Sequence, residues 1–187
     1  MKNMQIISHI RKEDLAIQTN EAHSFGVAER AEFFTQALGM PGWGTFLGLL
    51  HDKGKEKNDF QTYIRLMNEL PTDSRTYQDK THAYVGALLA KRLFPVGYFF
   101  VAYALAGHHA GMPDFNSLEE LLKKDLPEEV SWDGLPDVPS PPSYLEQMQP
   151  SDLNHLFRLL YSCLVDADYL DTENFMMPGQ ALSLIHI

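Results

Sequence analysis

The stretch "LLHDKGKEKNDFQ", residues 49–61, sets His51 and Asp52 side by side after an apolar run, with Lys53, Lys55 and Lys57 close behind. Imidazole nitrogen and carboxylate oxygen both ligate first-row divalent ions. Neighbouring helical residues point about 100° apart. One backbone segment can therefore address two ions, with Asp52 between them. A His-Asp pair alone is weak, and the partners must come from elsewhere in the chain.

Following each apolar stripe supplies them. Val27 lies four residues after His23, so His23 continues an apolar face. Trp43, Leu47 and His51 recur at spacings of four, and His82 shares a face with Val85, Leu89 and Leu93. Val101 and Leu105 lead to His108 and His109, while Phe157, Leu160 and Leu164 lead to Asp168. Residues three and four apart on a helix are neighbours, so separate segments each aim a histidine or aspartate at a shared interior.

A single histidine on an apolar face is ordinarily a core residue with one satisfied hydrogen bond. His23, His51, His82, His108 and His109 converging with Asp52 and Asp168 are different, because a buried ionised carboxylate without a partner costs several kcal/mol. Divalent cations between the donors would remove that cost. Two ions sharing a carboxylate make a two-metal hydrolytic site, in which a hydroxide formed at the ions attacks in line. Mn, Fe, Co or Ni suit such donors best, and Zn or Mg is compatible; one ion or two remain open. Asp166, two residues before Asp168, faces away from the interior. Asp171 and Glu173 read as a solvated helix end.

The elements that must carry these donors are helical. Residues 4–19 read as two short β-prone runs around a charged turn, a small hairpin or an irregular arm. Val27, Ala31, Phe34 and Leu38 mark a helix from Asn20, ended by "GMPG" at 39–42. Further helices are predicted over Trp43–His51, Phe60–Leu70, Lys80–Leu93 and Val96–Ala110, and the glycines Gly107 and Gly111 would let the last one fray. A short helix over Ser117–Lys124 takes Ser117 as its cap. Proline-rich residues 126–150 read as an ordered surface loop or insertion. A last long helix, capped by Ser151 or Asp152, runs to about Asp171. Residues 176–187 form a tail without period. The fold class is all-α: one compact helical bundle over 1–187, with the N-terminal hairpin as a minor addition.

Composition narrows the function. The chain has 187 residues, 44% hydrophobic, and a formal net charge of −10. Such a charge argues against a broad basic surface that grips nucleic acid by counterion release, but bound cations would still make one cleft locally positive. The longest apolar run, Phe94–Gly107, is too short for a bilayer, which needs roughly 20 residues, and the N-terminus lacks a secretory pattern. Membrane partners are not expected. Cys163 is the sole cysteine, and a reducing cytoplasm is the plain reading.

The segments "AHSFGVAE", "LLHDKGKEKNDFQTYI", "THAYVGALLA", "AGHHAGMPD" and "LLYSCLVDADYLDTE" together resemble the HD superfamily of metal-dependent phosphohydrolases. More narrowly, they resemble the HD nuclease domain of the type I CRISPR interference helicase-nuclease, over about residues 6–175. "HDKGK…FQ" and the paired histidines of "GHHAG" are the specific parts. The resemblance implies an HD-domain fold and cleavage of single-stranded DNA at a target chosen by an RNA-guided surveillance complex. It assigns one ion to His23, His51, Asp52 and Asp168, and a second to Asp52, His82, His108 and His109. Asp52 and Lys55 become the catalytic pair, with Lys55 reaching a scissile phosphate or a coordinated water; the alternative for Lys55 is an ordinary surface lysine. Ser24 could touch substrate, although a serine near a helix start is ordinary. His9, His155 and His186 are expected to matter far less. No "GxxxxGK[ST]" occurs, so the helicase is either a separate partner or fused in a longer chain. Two rivals stand: an HD-type phosphohydrolase acting on nucleotides or cyclic dinucleotides, and a binding module that keeps metals for stability.

Overall fold

The computed structural model describes residues 5–94 and 98–179. Strands β1 (Ile7–Arg11) and β2 (Ala16–Thr19) form an antiparallel hairpin with Ile10 opposite Ile17, and its register shifts between Ile7 and His9. The charged turn is closed by Asp14, which accepts from Arg11 Nε at 2.9 Å and from the Ala16 amide at 3.1 Å. Helices follow: α1 (Asn20–Ala37), α2 (Trp43–Leu50), a 3-10 turn (Lys53–Glu56), α3 (Asn58–Met67), α4 (Ala83–Leu93), α5 (Tyr98–Gly107), α6 (Phe115–Leu121), a second 3-10 turn (Ser143–Gln147) and α7 (Pro150–Met176). The predicted all-α bundle with a small hairpin is the observed architecture. Among the described residues, no helix is long and apolar enough to cross a membrane.

Helix α2 lies at the centre. Trp43, Phe46, Leu47 and Leu50 are buried along it and pack with Val27 and Ala31 of α1, Val85 and Leu89 of α4, Leu105 of α5 and Leu160 and Leu164 of α7. Its first turn begins at Gly42, which has φ +83° and no side chain to cap with. Helix α1 supplies the missing acceptors: Glu32 takes the amides of Gly42 (2.7 Å) and Thr45 (3.1 Å), and Thr35 Oγ1 takes that of Gly44 (3.0 Å). The orphan N–H groups of a helix start are thus satisfied from a neighbouring helix.

The close approach of α1 and α2 depends on small residues. A Cβ added at Gly44 would strike the backbone of Ala31 and Glu32, and one at Gly48 would strike Ala28. This contact sets the height of the α2 C-terminus, and hence of His51, against His23 on α1.

Several boundaries differ from the sequence expectation. His82 precedes α4 as its N-cap residue, held outside the helix by Lys57, whose Nζ donates to Asp79 Oδ2 and to the Thr81 carbonyl, both at 2.8 Å. The short helix is capped by Asp114, which accepts from the Ser117 amide at 2.9 Å, so Ser117 is not its cap. Helix α7 starts two or three residues earlier than expected, with Gln149 and Asp152 in a reciprocal capping box and Pro150 in its first turn, and it continues past Asp171 to Met176. Residues 126–150 follow the surface without long regular structure. They are tied down by Ser131 N to Glu56 Oε2 (2.7 Å) and by Tyr144 OH to the Leu38 carbonyl (2.9 Å). Val96 lies outside the described residues, as do residues 180–187 of the predicted tail.

Gly44→Ala tests the α1–α2 contact. Alanine is favoured within a helix by about 1 kcal/mol, but the atoms it would meet are backbone and cannot rotate away. Overpacking of this kind typically costs about 1–3 kcal/mol. Urea unfolding is expected to show a net loss of stability, and an equal or more stable variant would contradict the packing described.

Candidate metal centre

Asp52 is fully buried, and the candidate donors surround its carboxylate. His23 Nε2 and His51 Nε2 each lie 3.3 Å from Oδ2. On the other side, His82 Nε2 is 3.3 Å, His108 Nε2 3.5 Å and His109 Nε2 3.9 Å from Oδ1. Asp168 Oδ1 stands 3.1 Å from His23 Nε2 and 3.8 Å from His51 Nε2. All seven metal-ligating residues expected from the sequence thus meet at one place. Their donor atoms form two main groups, Asp52 with His82, His108 and His109, and His23 with His51 and Asp168.

Each element delivers its ligand for a local reason. Asn20, the first residue of α1, donates from Nδ2 to the Asp52 carbonyl at 3.2 Å and locks the HD turn to that helix. Gly86 lets α4 approach the Leu50 carbonyl, and Gly54 lets the 3-10 turn approach His82. Helix α5 stops at Gly107, whose carbonyl accepts from Ala110 N (3.1 Å) and Gly111 N (2.8 Å), and Gly111 has φ +89°. That turn frees both His108 and His109 to face Asp52. Asp166 is exposed, as expected from its offset from Asp168.

The imidazoles are oriented from behind. His51 Nδ1 donates to the Gly48 carbonyl and His108 Nδ1 to the Leu105 carbonyl, both at 2.7 Å. This assignment leaves each Nε2 with its lone pair directed inward. His23 Nδ1 donates to Asp171 Oδ2 at 2.8 Å. Asp171 is buried and also accepts from Gln18 Nε2 (2.7 Å) and Arg30 Nη1 (2.8 Å). Its role corrects the reading of Asp171 as part of a solvated helix end: α7 continues, and the residue one turn after Asp168 shares its face. That i, i+3 spacing was the signal for it, since a ligating histidine usually has a carboxylate or carbonyl behind it.

His9 was also missed. It projects from β1, its ring centroid 4.6 Å from that of His23, and its Nε2 lies 3.4 Å from Lys55 Nζ. With His23 and Asp52 it forms a third group of donors close enough to share an ion. Its pKa is lowered to about 3 by burial first and by the Lys55 charge second, so it is neutral at ordinary pH. No periodicity points to it, because a two-stranded hairpin gives little indication of which face meets a distant helix. His155 is exposed and bonds its own helix at the Ser151 carbonyl (2.8 Å); His186 lies outside the described residues. Lys55 is buried rather than on the surface, with Nζ 2.5 Å from Asp52 Oδ2. Ser24 is buried in the second turn of α1, its Oγ without a hydrogen-bond partner.

The donor set fits divalent cations. Despite its ion-pair contacts, neither Asp52 oxygen takes a well-aligned hydrogen bond, and buried His108 Nε2 has no partner. His82 Nε2 and His109 Nε2 face each other at 2.8 Å, and His23 Nε2 and His51 Nε2 at 3.3 Å. Lone-pair atoms gathered around a desolvated carboxylate are what a shared cation satisfies. Burial disfavours the charged form of Asp52, but Lys55 and the histidines outweigh it and hold its pKa well below the ordinary range. The cluster opens to solvent at the His109 side chain, 46% exposed, with Asp168 at 15%. A separate cleft of about 400 Å³, lined by Asn20, Ser24, Phe25 and Lys53, contains none of the seven donors.

A scan against protein-family models returns no match to this chain, and a search of curated proteins returns none.

His23 fixes the sign of the pH dependence. Burial opposes its charge, yet hydrogen bonds with Asp168, Asp171 and Asp52 prevail and raise its pKa from 6.5 to about 10. In the metal-free protein this contribution to stability is complete below about pH 6.5 and is lost as pH climbs toward 10. A cation at Nε2 must replace that proton, so metal affinity should rise with pH across neutrality. Chemical denaturation of chelator-treated protein and chelator competition over a pH series measure the two trends; a pH-independent affinity would contradict the arrangement. Asp171→Asn is expected to weaken metal binding roughly ten- to a hundredfold with the helical fold retained, read by the same competition and by circular dichroism.

Proposed function

We propose that this chain is a metal-dependent endonuclease that hydrolyses phosphodiester bonds of single-stranded DNA, in the manner of the HD nuclease domain of the type I CRISPR interference helicase-nuclease. The observation that carries the reading is the meeting of five histidine Nε2 atoms and the Asp168 carboxylate around buried Asp52. Divalent ions held there would supply charge neutralisation at the phosphoryl oxygens and a water acidified toward about neutral pKa.

The chain's own residues divide the remaining work. Asp52 belongs to both sides of the cluster and would bridge them. Asp171, the Gly48 carbonyl and the Leu105 carbonyl hold His23, His51 and His108 with Nε2 inward. Lys55 places an ammonium beside Asp52, where it can meet an anionic phosphoryl oxygen. The edge at His109 is open to solvent, an entry suited to a strand rather than to a fully enclosed mononucleotide. The net charge of −10 offers no broad electrostatic hold on DNA, so the strand is delivered by a helicase and an RNA-guided surveillance complex.

Metal-free protein incubated with circular single-stranded DNA, adding Mn, Co, Ni, Mg or Zn in turn, tests the proposal. Opening of the circle with a transition ion is expected, and Asp52→Ala is expected to abolish it. Near-normal cleavage and metal content in Asp52→Ala would refute the assignment. Hydrolysis of nucleotides or cyclic dinucleotides with the circle left intact would favour the phosphohydrolase instead.

A further inference from the structure

Lys55 sits in a socket built by three parts of the chain. Its Nζ lies 2.5 Å from Asp52 Oδ2, donates to Ser8 Oγ at 2.9 Å and stands 3.4 Å from His9 Nε2. Ser8 and His9 are adjacent on β1, at the register shift of the hairpin, and the irregularity brings both side chains to the same ammonium. Thr172 of α7 meets the same nitrogen, with Oγ1 3.5 Å from His9 Nε2. Gln61 of α3 fastens strand and turn together. It accepts from the Ile7 amide (2.9 Å) and donates from Nε2 to the Ile7 and Lys55 carbonyls (both 2.8 Å). The "FQ" of the opening motif is thus the clamp that holds β1 against Lys55.

An ammonium has three hydrogens and no lone pair. Ser8 and His9 take two of them, and Asp52 stands beside the ammonium with no aligned hydrogen bond from it. We propose that Ser8 and His9 are positioning residues that fix the Lys55 ammonium at the metal centre, with one hydrogen directed to the phosphoryl oxygen of a DNA strand once cations engage Asp52. The proposal rests on the nuclease reading for the identity of the phosphoryl group, but the socket itself does not. It requires His9 to act as an acceptor toward Lys55 and not as a metal ligand.

Variants His9→Ala, His9→Gln and Ser8→Ala, each checked for folding by thermal melting, test it through three readouts. The first is the acetylation rate of Lys55 in the metal-free protein, followed by mass spectrometry. It is expected to rise severalfold in His9→Ala and Ser8→Ala and to stay near wild type in His9→Gln, whose amide oxygen can still accept. The second is metal content, expected to be unchanged. The third is cleavage of a single-stranded oligonucleotide. There kcat should fall roughly ten- to a hundredfold in His9→Ala with KM unchanged, and His9→Ala should cost nothing further in a Lys55→Ala background. Unaltered Lys55 acetylation in folded His9→Ala and Ser8→Ala would overturn the proposal. So would loss of metal from His9→Ala, which would make His9 a ligand, or additive losses in the double variant. Should the wild type cut no DNA, the nuclease reading fails, while the acetylation and metal readouts still decide the socket.

Discussion

A carboxylate withdrawn completely from water must be compensated, and the structure is arranged around the compensation of Asp52. Desolvation of a lone ion costs several kcal/mol even after relaxation. In this chain Lys55, His51, His108 and His23 favour its charge, and His82 and His109 complete the ring of donors, which reach Asp52 from α1, the end of α2, the residue before α4 and the turn after α5. No two of those segments, apart from the adjacent pair at His108 and His109 and the turn bearing His51 and Lys55, are neighbours in sequence. The helical bundle can thus be understood as the scaffold that gathers their donors, with the apolar packing of α2 setting the common origin.

The second tier of contacts gives the site its rigidity. Backbone carbonyls behind His51 and His108 and a carboxylate behind His23 determine which nitrogen faces inward. Asp171 is itself fixed by Gln18 from the hairpin and Arg30 from α1, and Gly26 leaves the space it needs, since an added Cβ there would overlap its carboxylate. The hairpin, a minor part of the fold by length, meets the cluster on its His23 side, through Gln18 behind Asp171 and through His9 beside the His23 ring. Histidine orientation of this sort tunes ligand basicity as well as geometry.

Much of this was legible in the residue pattern because helical periodicity and ligand position are linked. His23, His51 and Asp168 extend apolar stripes of α1, α2 and α7, so following the stripes found them. His82 was found by a stripe that does not strictly include it: α4 begins at Ala83, and Lys57 and Asp79, distant in sequence, place His82 just before the helix. Asp171 was hidden because α7 was expected to end there. Its continuation rests on burial of one side of that turn against α1, a tertiary effect. His9 and Ser8 were hidden for another reason: which face of a short hairpin meets the core is decided by the register shift and by Gln61, neither of which leaves a period in the sequence. The expected caps lie two or three residues after the observed ones at α6 and α7, where Asp114 and Gln149 compete with nearby serines for the same role.

Asp52 is proposed to be shared between cations held by its histidine neighbours. Anomalous diffraction from crystals grown with manganese measures this directly. Density is expected on either side of the Asp52 carboxylate, one peak within bonding distance of donors from His23, His51 and Asp168, the other within bonding distance of donors from His82, His108 and His109. Crystals soaked in the same ion that show no peak within bonding distance of Asp52, or a peak held only by surface carboxylates, would contradict it.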